Sequence, residues 1–311
     1  MNERVSKCPQ CHAPLEHSRF ARQVTCSFCR AQVNLDPSVV SASKYRKALE
    51  AWNAPAEQGF ANAWTLGGTS WTAQRVLAEG DRYRIYLVDR ARLPRERAVL
   101  RVALRETGVV ERTVATLKTL RNATPEGMAR VIPELLGHGL LEGGPHPGAE
   151  GFVVRFRSHF RYPLTAVRAA FPQGVEPRVA LWAWRRVLES LALIHRAGFV
   201  HGAVLPAHVI LEENDHGAML VGFSSLRPLG AARAEADLIA SARMIAYALG
   251  GDASGSVPAS VPRPLAALLR KVAGGELGED GADAWTLRET LGAVSREAFG
   301  APSFNPLRMP A

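Results

Sequence analysis

Cysteine is scarce in this chain. Its 311 residues include only four, all within the first 29, so nothing beyond that point can belong to a disulfide framework. Long apolar runs are missing as well. No window reaches the about 20 uninterrupted residues that a membrane-spanning helix needs, and arginines break even the apolar stretch around Trp182. The first residues are polar and charged, so no secretory signal is expected. No internal repeat recurs along the chain. These absences together point to a reducing compartment, and cytoplasmic localisation is expected.

What is present suffices for a large core, since 47% of the residues are hydrophobic. A net charge of +9 and a pI near 9.9 would permit contact with nucleic acid or another acidic partner. The arginines between Arg75 and Arg112 are interleaved with Asp and Glu, however, and that mixture reads first as a solvated surface. The Ala- and Arg-rich usage gives a bacterial impression.

The four cysteines form two Cys-x-x-Cys knuckles, Cys8–Cys11 and Cys26–Cys29, with fourteen residues between them. Two tight turns offering paired sulfurs match a tetrahedral four-thiolate zinc site, and four protein ligands leave no open position, so such a metal would be structural. A pair of disulfides or a redox dithiol are the competing readings. The first suits a secreted chain, and the second needs a βαβ setting that this short segment cannot supply. His12 and His17 read as surface residues beside a filled coordination shell. The intervening segment fits a short hairpin, and residues 1–36 resemble a zinc ribbon. Residues 37–70 read as a linker with one helix, Ser43 to Trp52, and Gly67-Gly68-Thr69-Ser70 as a flexible joint. Trp52, Phe60 and Trp64 are unusual in a free linker and suit docking on the body that follows.

The stretch from Ile194 to Phe223, IHRAGFVHGAVLPAHVILEENDHGAMLVGF, carries the most information. It resembles the catalytic core of the eukaryotic-type Ser/Thr protein kinases, whose loop runs His-Arg-Asp-Leu-Lys-Pro-x-Asn-Ile-Leu ahead of a strand ending in Asp-Phe-Gly. His201 takes the His position, Gly202 the Arg, and Pro206, Val209, Ile210 and Leu211 keep register. Ala203 falls on the catalytic Asp, Leu205 on the loop Lys, His208 on the metal-binding Asn, and Gly222 on the metal-binding Asp. Phosphoryl transfer needs a carboxylate to accept the hydroxyl proton and oxygen ligands to hold magnesium on the phosphates. A methyl group and a glycine hydrogen supply neither.

The same pattern runs through the preceding half. Leu77 to Tyr86 aligns with the glycine-rich loop, of whose glycines only Gly80 survives; the first falls on Ala78 and the third on Tyr83, where a side chain should crowd a nucleotide. Ala98 to Leu104 matches the strand bearing the phosphate-gripping lysine, with Arg101 in its place, and a guanidinium is not a shape match for an ammonium. Arg101 remains able to bind an anion or to make a structural ion pair. In the helix from about Val109 to Arg121, the position of that lysine's glutamate partner holds Thr113, with Glu111 on another face.

Val179 to Ala197 has helical apolar spacing and ends at Gly198. Asp237 follows Ser224 by only 13 residues, with no Ala-Pro-Glu triplet, whereas the family's activation segment is much longer. His201, Phe223 and Asp237 match the family at architectural positions. Two amphipathic segments between 262 and 298 close the lobe, and the Pro-rich tail 301–311 reads as loosely held.

The expected fold is α+β: a bilobal kinase-like body with a small β-rich lobe at 71–160 and a helical lobe at 161–300, behind the ribbon. The resemblance implies a pseudokinase, a cytoplasmic regulatory scaffold for a protein partner, with structural Zn²⁺ and weak or absent binding of ATP and Mg²⁺ at Gly80 and Arg101. Two other readings stay open. One is an atypical nucleotide-dependent kinase or transferase using Arg101 and His208. The other is nucleic-acid binding through the ribbon, which predicts salt-sensitive affinity.

Overall fold

The computed structural model describes residues 6–8, 13–17, 21, 23–28, 32–34, 62–90, 96–125, 128, 131–157, 160–213, 216–230, 233–252, 254–277 and 283–310. Two small hairpins come first. Strands β1 (Ser6–Lys7) and β2 (Pro14–Leu15) pair antiparallel, as do β3 (Gln23–Thr25) and β4 (Gln32–Asn34). Cys8 and Cys26 therefore each follow the first strand of one hairpin. The segment between the knuckles does not form the single hairpin expected from sequence; it supplies one strand to each of two. Cys8 and Cys26 are both buried, in one cluster with Leu15 and Val33. Cys11, Cys29, His12 and the Ser43–Trp52 helix expectation lie outside the described residues, as do Trp52 and Phe60.

A six-stranded antiparallel sheet follows, built from β5 (Ala63–Leu66), β6 (Thr69–Glu79), β7 (Tyr83–Arg90), β8 (Glu96–Ala103), β9 (Leu135–Leu140) and β10 (Glu150–Arg155) in the order β5-β6-β7-β8-β10-β9. Its first hairpin corrects the reading of Gly67–Ser70 as a flexible joint. Gly67 and Gly68 have φ of 55° and 73°, the pair of left-handed conformations that a two-residue hairpin turn requires, and Trp64 faces Trp71 across it. Both indoles are buried, with Tyr86, Leu100 and Val153, on one face of the sheet. Thr65 and Glu142 exchange backbone hydrogen bonds of 2.9 and 3.0 Å, so the chain beyond β9 comes round to meet β5. Helix α1 (Val109–Ala123) covers the other face through Val109, Val110 and Val114 against Ala103 and Phe152.

The larger lobe is helical. Its helices are α2 (Leu164–Ala170), α3 (Pro177–Arg196), α4 (Ala234–Ala248), α5 (Arg263–Ala273) and α6 (Ala284–Phe299). Helix α3 starts at Glu176, whose carboxylate accepts from the Arg178 amide, with Pro177 in the first turn. Its apolar residues make it the axis of the core. Trp184 is fully buried and donates to Ser241 Oγ of α4 at 2.9 Å. Five short strand pieces complete the lobe: β11 (Tyr162–Pro163) beside β13 (Val209–Leu211), which pairs with β14 (Ala218–Leu220), and β12 (Phe199–Val200) paired with β15 (Arg227–Pro228).

The tail is not loose. Leu307 is 2% exposed, the Asn305 carbonyl accepts from Trp182 Nε1 at 3.1 Å and His216 Nε2 at 2.7 Å, and the Phe304 ring stacks on His216 at 4.3 Å. The apolar Phe304 and Leu307 find seats on α3 and the β13–β14 connection, and this outweighs the tail's Pro-rich composition. Among the described residues no helix is long and apolar enough to cross a membrane.

Candidate functional site

The cleft between the lobes is framed by the His201–His208 loop. Asp237, in the first turn of α4, holds that loop from behind. Its Oδ2 accepts from the His201 amide at 2.7 Å and from His195 Nε2 at 2.9 Å, and its Oδ1 accepts from the Gly202 amide at 2.8 Å. His201 is fully buried; its Nε2 donates to the Val221 carbonyl at 3.0 Å, its Nδ1 accepts from the Ala203 amide at 3.3 Å, and Phe223 meets it edge-on. Burial, more than any neighbour, pushes the His201 imidazole down to about 4, Asp237 opposing the shift and His208 and His195 adding to it. The ring is thus a neutral structural strut. These three residues, read from sequence as architectural, do hold the loop together.

The cleft side of the same loop carries different groups. Ala203 offers a methyl, and Leu205 is 51% exposed. His208 turns back into the loop, its Nδ1 donating to the Ala203 carbonyl at 2.8 Å. Its ring lies against Gly222: a Cβ at that position would stand 2.8 Å from His208 Nδ1 and 3.1 Å from Cγ, and the backbone there has φ 90°. The imidazole and any side chain at 222 therefore compete for one space. Ser225, which sequence reading passed over, helps to fix the turn; its Oγ lies 2.7 Å from the Gly222 carbonyl and 2.9 Å from that of His201.

In the smaller lobe Arg101 is buried on β8, as expected, but its partner is a residue not foreseen. Nη2 pairs with the Glu106 carboxylate, from the connection leading into α1. Thr113, at the helix position, is buried and donates to the Val109 carbonyl, while Glu111 is exposed. Glu106 and Glu111 are the only acids between Arg101 and Thr113. Charge counting could have found the pair, whereas matching by helix position looked past it. Arg101 Nη1 is buried with no hydrogen-bond partner among the described residues. The Tyr83 ring lies over Gly80, where a Cβ would be 2.9 Å from it, and its centroid is 5.3 Å from the Arg101 guanidinium carbon. An aromatic ring thus stands on the cation, beside the one glycine kept in the turn.

Among the described residues no group of three or more His, Cys, Asp or Glu side chains is arranged to hold a metal ion; of the four cysteines, only Cys8 and Cys26 are described.

No protein-family model matches the chain, and no curated protein matches it in sequence. Among solved structures, the kinase domain of BubR1 superposes with a TM-score of 0.60 over 82% of this chain and 91% of that one, at 11% identity. The kinase domain of Mycobacterium tuberculosis PknI does so with a TM-score of 0.53 over 74% of this chain and 97% of that one, at 18% identity. Likeness at such identities is likeness of fold, and the chain has a protein-kinase-like fold.

Proposed function

We propose that this protein is a pseudokinase: a cytoplasmic scaffold in which a kinase-like body presents a surface to a protein partner and a zinc ribbon supplies a second contact module. The observation that carries the reading is the mutual packing of the replaced positions. His208 fills the space that a side chain at 222 would need, and Tyr83 rests on Arg101. Neither Ala203 nor Gly222 bears a group that could accept a proton or ligate magnesium. The losses fit one another sterically, as expected of a cleft selected for shape.

Cys8, Cys11, Cys26 and Cys29 would hold the zinc. The shared burial of Cys8 and Cys26 supports this, because paired knuckles must bring their first sulfurs into one small cluster. Purified protein should then carry one zinc per chain, and Cys26→Ser should lose it.

The decisive experiment is a calorimetric titration of the zinc-loaded protein with ATP, with and without magnesium, beside a phosphotransfer assay. Neither a magnesium-dependent heat nor a labelled product is expected. Magnesium-dependent phosphorylation abolished by Arg101→Met would overturn the reading. One observation favours the alternative of an atypical nucleotide-dependent transferase: the unpartnered Nη1 of Arg101 is a buried cation donor with capacity for an anion. Nucleotide binding that needs Arg101 and displaces Tyr83 would support it.

A further inference from the structure

A second cavity lies outside the cleft, at the tips of the smaller lobe's sheet. It has a volume of about 430 Å³, large enough for a small metabolite. Three connections wall it: the β6–β7 turn with Asp81 and Arg84, the exit of β8 with Leu104 and Arg105, and the β9–β10 loop with His146 and Pro147. None of Arg101, Ala203, His208 or Gly222 lines it.

The walls are held in place from behind. The Leu104 amide donates to the Arg82 carbonyl at 2.8 Å, joining the first two connections. Trp64 Nε1 donates to the Pro145 carbonyl at 2.9 Å, anchoring the third to the buried face of the sheet. His146 sits between two prolines with φ 65°, a left-handed backbone that a residue with a side chain adopts at a cost of about 1 kcal/mol or more. Strain of that kind persists where surrounding structure enforces it, and the Trp64–Pro145 bond holds the adjoining residue.

Two arginines and a histidine stand on the lining. Arg84 is committed to the turn, donating to the Gly80 carbonyl at 2.7 Å and pairing with Glu79. The side chains of Arg105 and His146 have no hydrogen-bond or ion-pair partner among the described residues, and Asp81 is the one acid lining the cavity. A planar guanidinium and an imidazole on the wall of one cavity suit a phosphate, which accepts several charge-assisted hydrogen bonds at once.

We propose that this cavity is a binding site for a phosphate-bearing small molecule, with Arg105 and His146 as its anion-holding residues. Titration of the full-length protein with inorganic phosphate and with ribose 5-phosphate, followed by calorimetry at low ionic strength, tests it. Binding is expected for both, weakened at least about tenfold by Arg105→Gln. Arg105 is exposed on a loop, so that variant should melt with the wild type, which a thermal scan checks. Asp81→Asn, which removes a like charge from the wall, should tighten binding. Absence of binding at about 10 mM ligand overturns the proposal. So does binding that survives Arg105→Gln, and so does binding lost in Arg101→Lys but kept in Arg105→Gln, which would put the anion in the cleft.

Discussion

The two sides of the His201–His208 loop differ in kind. On the side facing the body of the larger lobe the polar contacts are dense: Asp237 receives three donors, and the buried His201 donates and accepts. On the side facing the cleft stand a methyl, an exposed isobutyl and an imidazole folded back on its own loop. The framework that aims the loop is thus separable from the groups it aims. A buried hydrogen bond is guarded by the cost of leaving its partner unsatisfied, whereas a cleft residue is guarded only by whatever binds there.

The contrast can be broken hardest at Asp237. Asp237→Ala strands the buried His201 amide, the part-buried Gly202 amide and His195, and should destabilise the larger lobe by about 3 kcal/mol in urea titration. A loss below about 1 kcal/mol would mean that the loop holds itself. Gly222→Asp tests the opposite side. The clash with His208 and the left-handed backbone should cost about 3 kcal/mol, of which His208→Asn in the same chain should restore about 1 kcal/mol or more. Additivity of the two changes would show that the imidazole does not occupy that space.

Acid should act through His201. Its folded value near 4 lies below the ordinary 6.5, so below pH 6.5 the unfolded chain takes up a proton that the folded chain refuses. The stability contribution is complete above 6.5 and falls as the pH drops toward 4, by about 2 kcal/mol on reaching about pH 5. Denaturant midpoints measured down that range check the sign. The smallest effect is expected at Leu205: exchange to Lys on an exposed cleft position should move stability by less than about 0.5 kcal/mol.

Much of this framework was legible in the chain. The catalytic-loop residues are local in sequence, and their apolar neighbours Val209, Ile210 and Leu211 hold the register, so His201, Phe223 and Asp237 could be assigned before any contact was known. The misses share a cause, which is that tertiary burial decided between local alternatives. Gly67-Gly68 suits a joint and a tight turn equally, and it is the facing pair Trp64 and Trp71 that makes it a turn. Arg101 drew its counter-ion from a connection, where helix spacing gives no guidance. The tail's prolines suggested looseness, while Phe304 stacks on His216 and Leu307 joins the larger lobe's core. The two hairpins were hidden because three-residue strands leave almost no periodicity.

The meeting of Thr65 with Glu142 bears on where the chain can be cut. A recombinant fragment beginning at residue 71 would discard β5 and Trp64, leave the long β6 as an open strand edge, and release the loop that Pro145 tethers. One ending at residue 300 would strip the Phe304 ring from His216 and the Asn305 carbonyl from Trp182 and His216. The smallest piece that should express well therefore starts before Asn62 and keeps the residues beyond 300, which places the practical boundary inside what sequence composition marks as linker and tail.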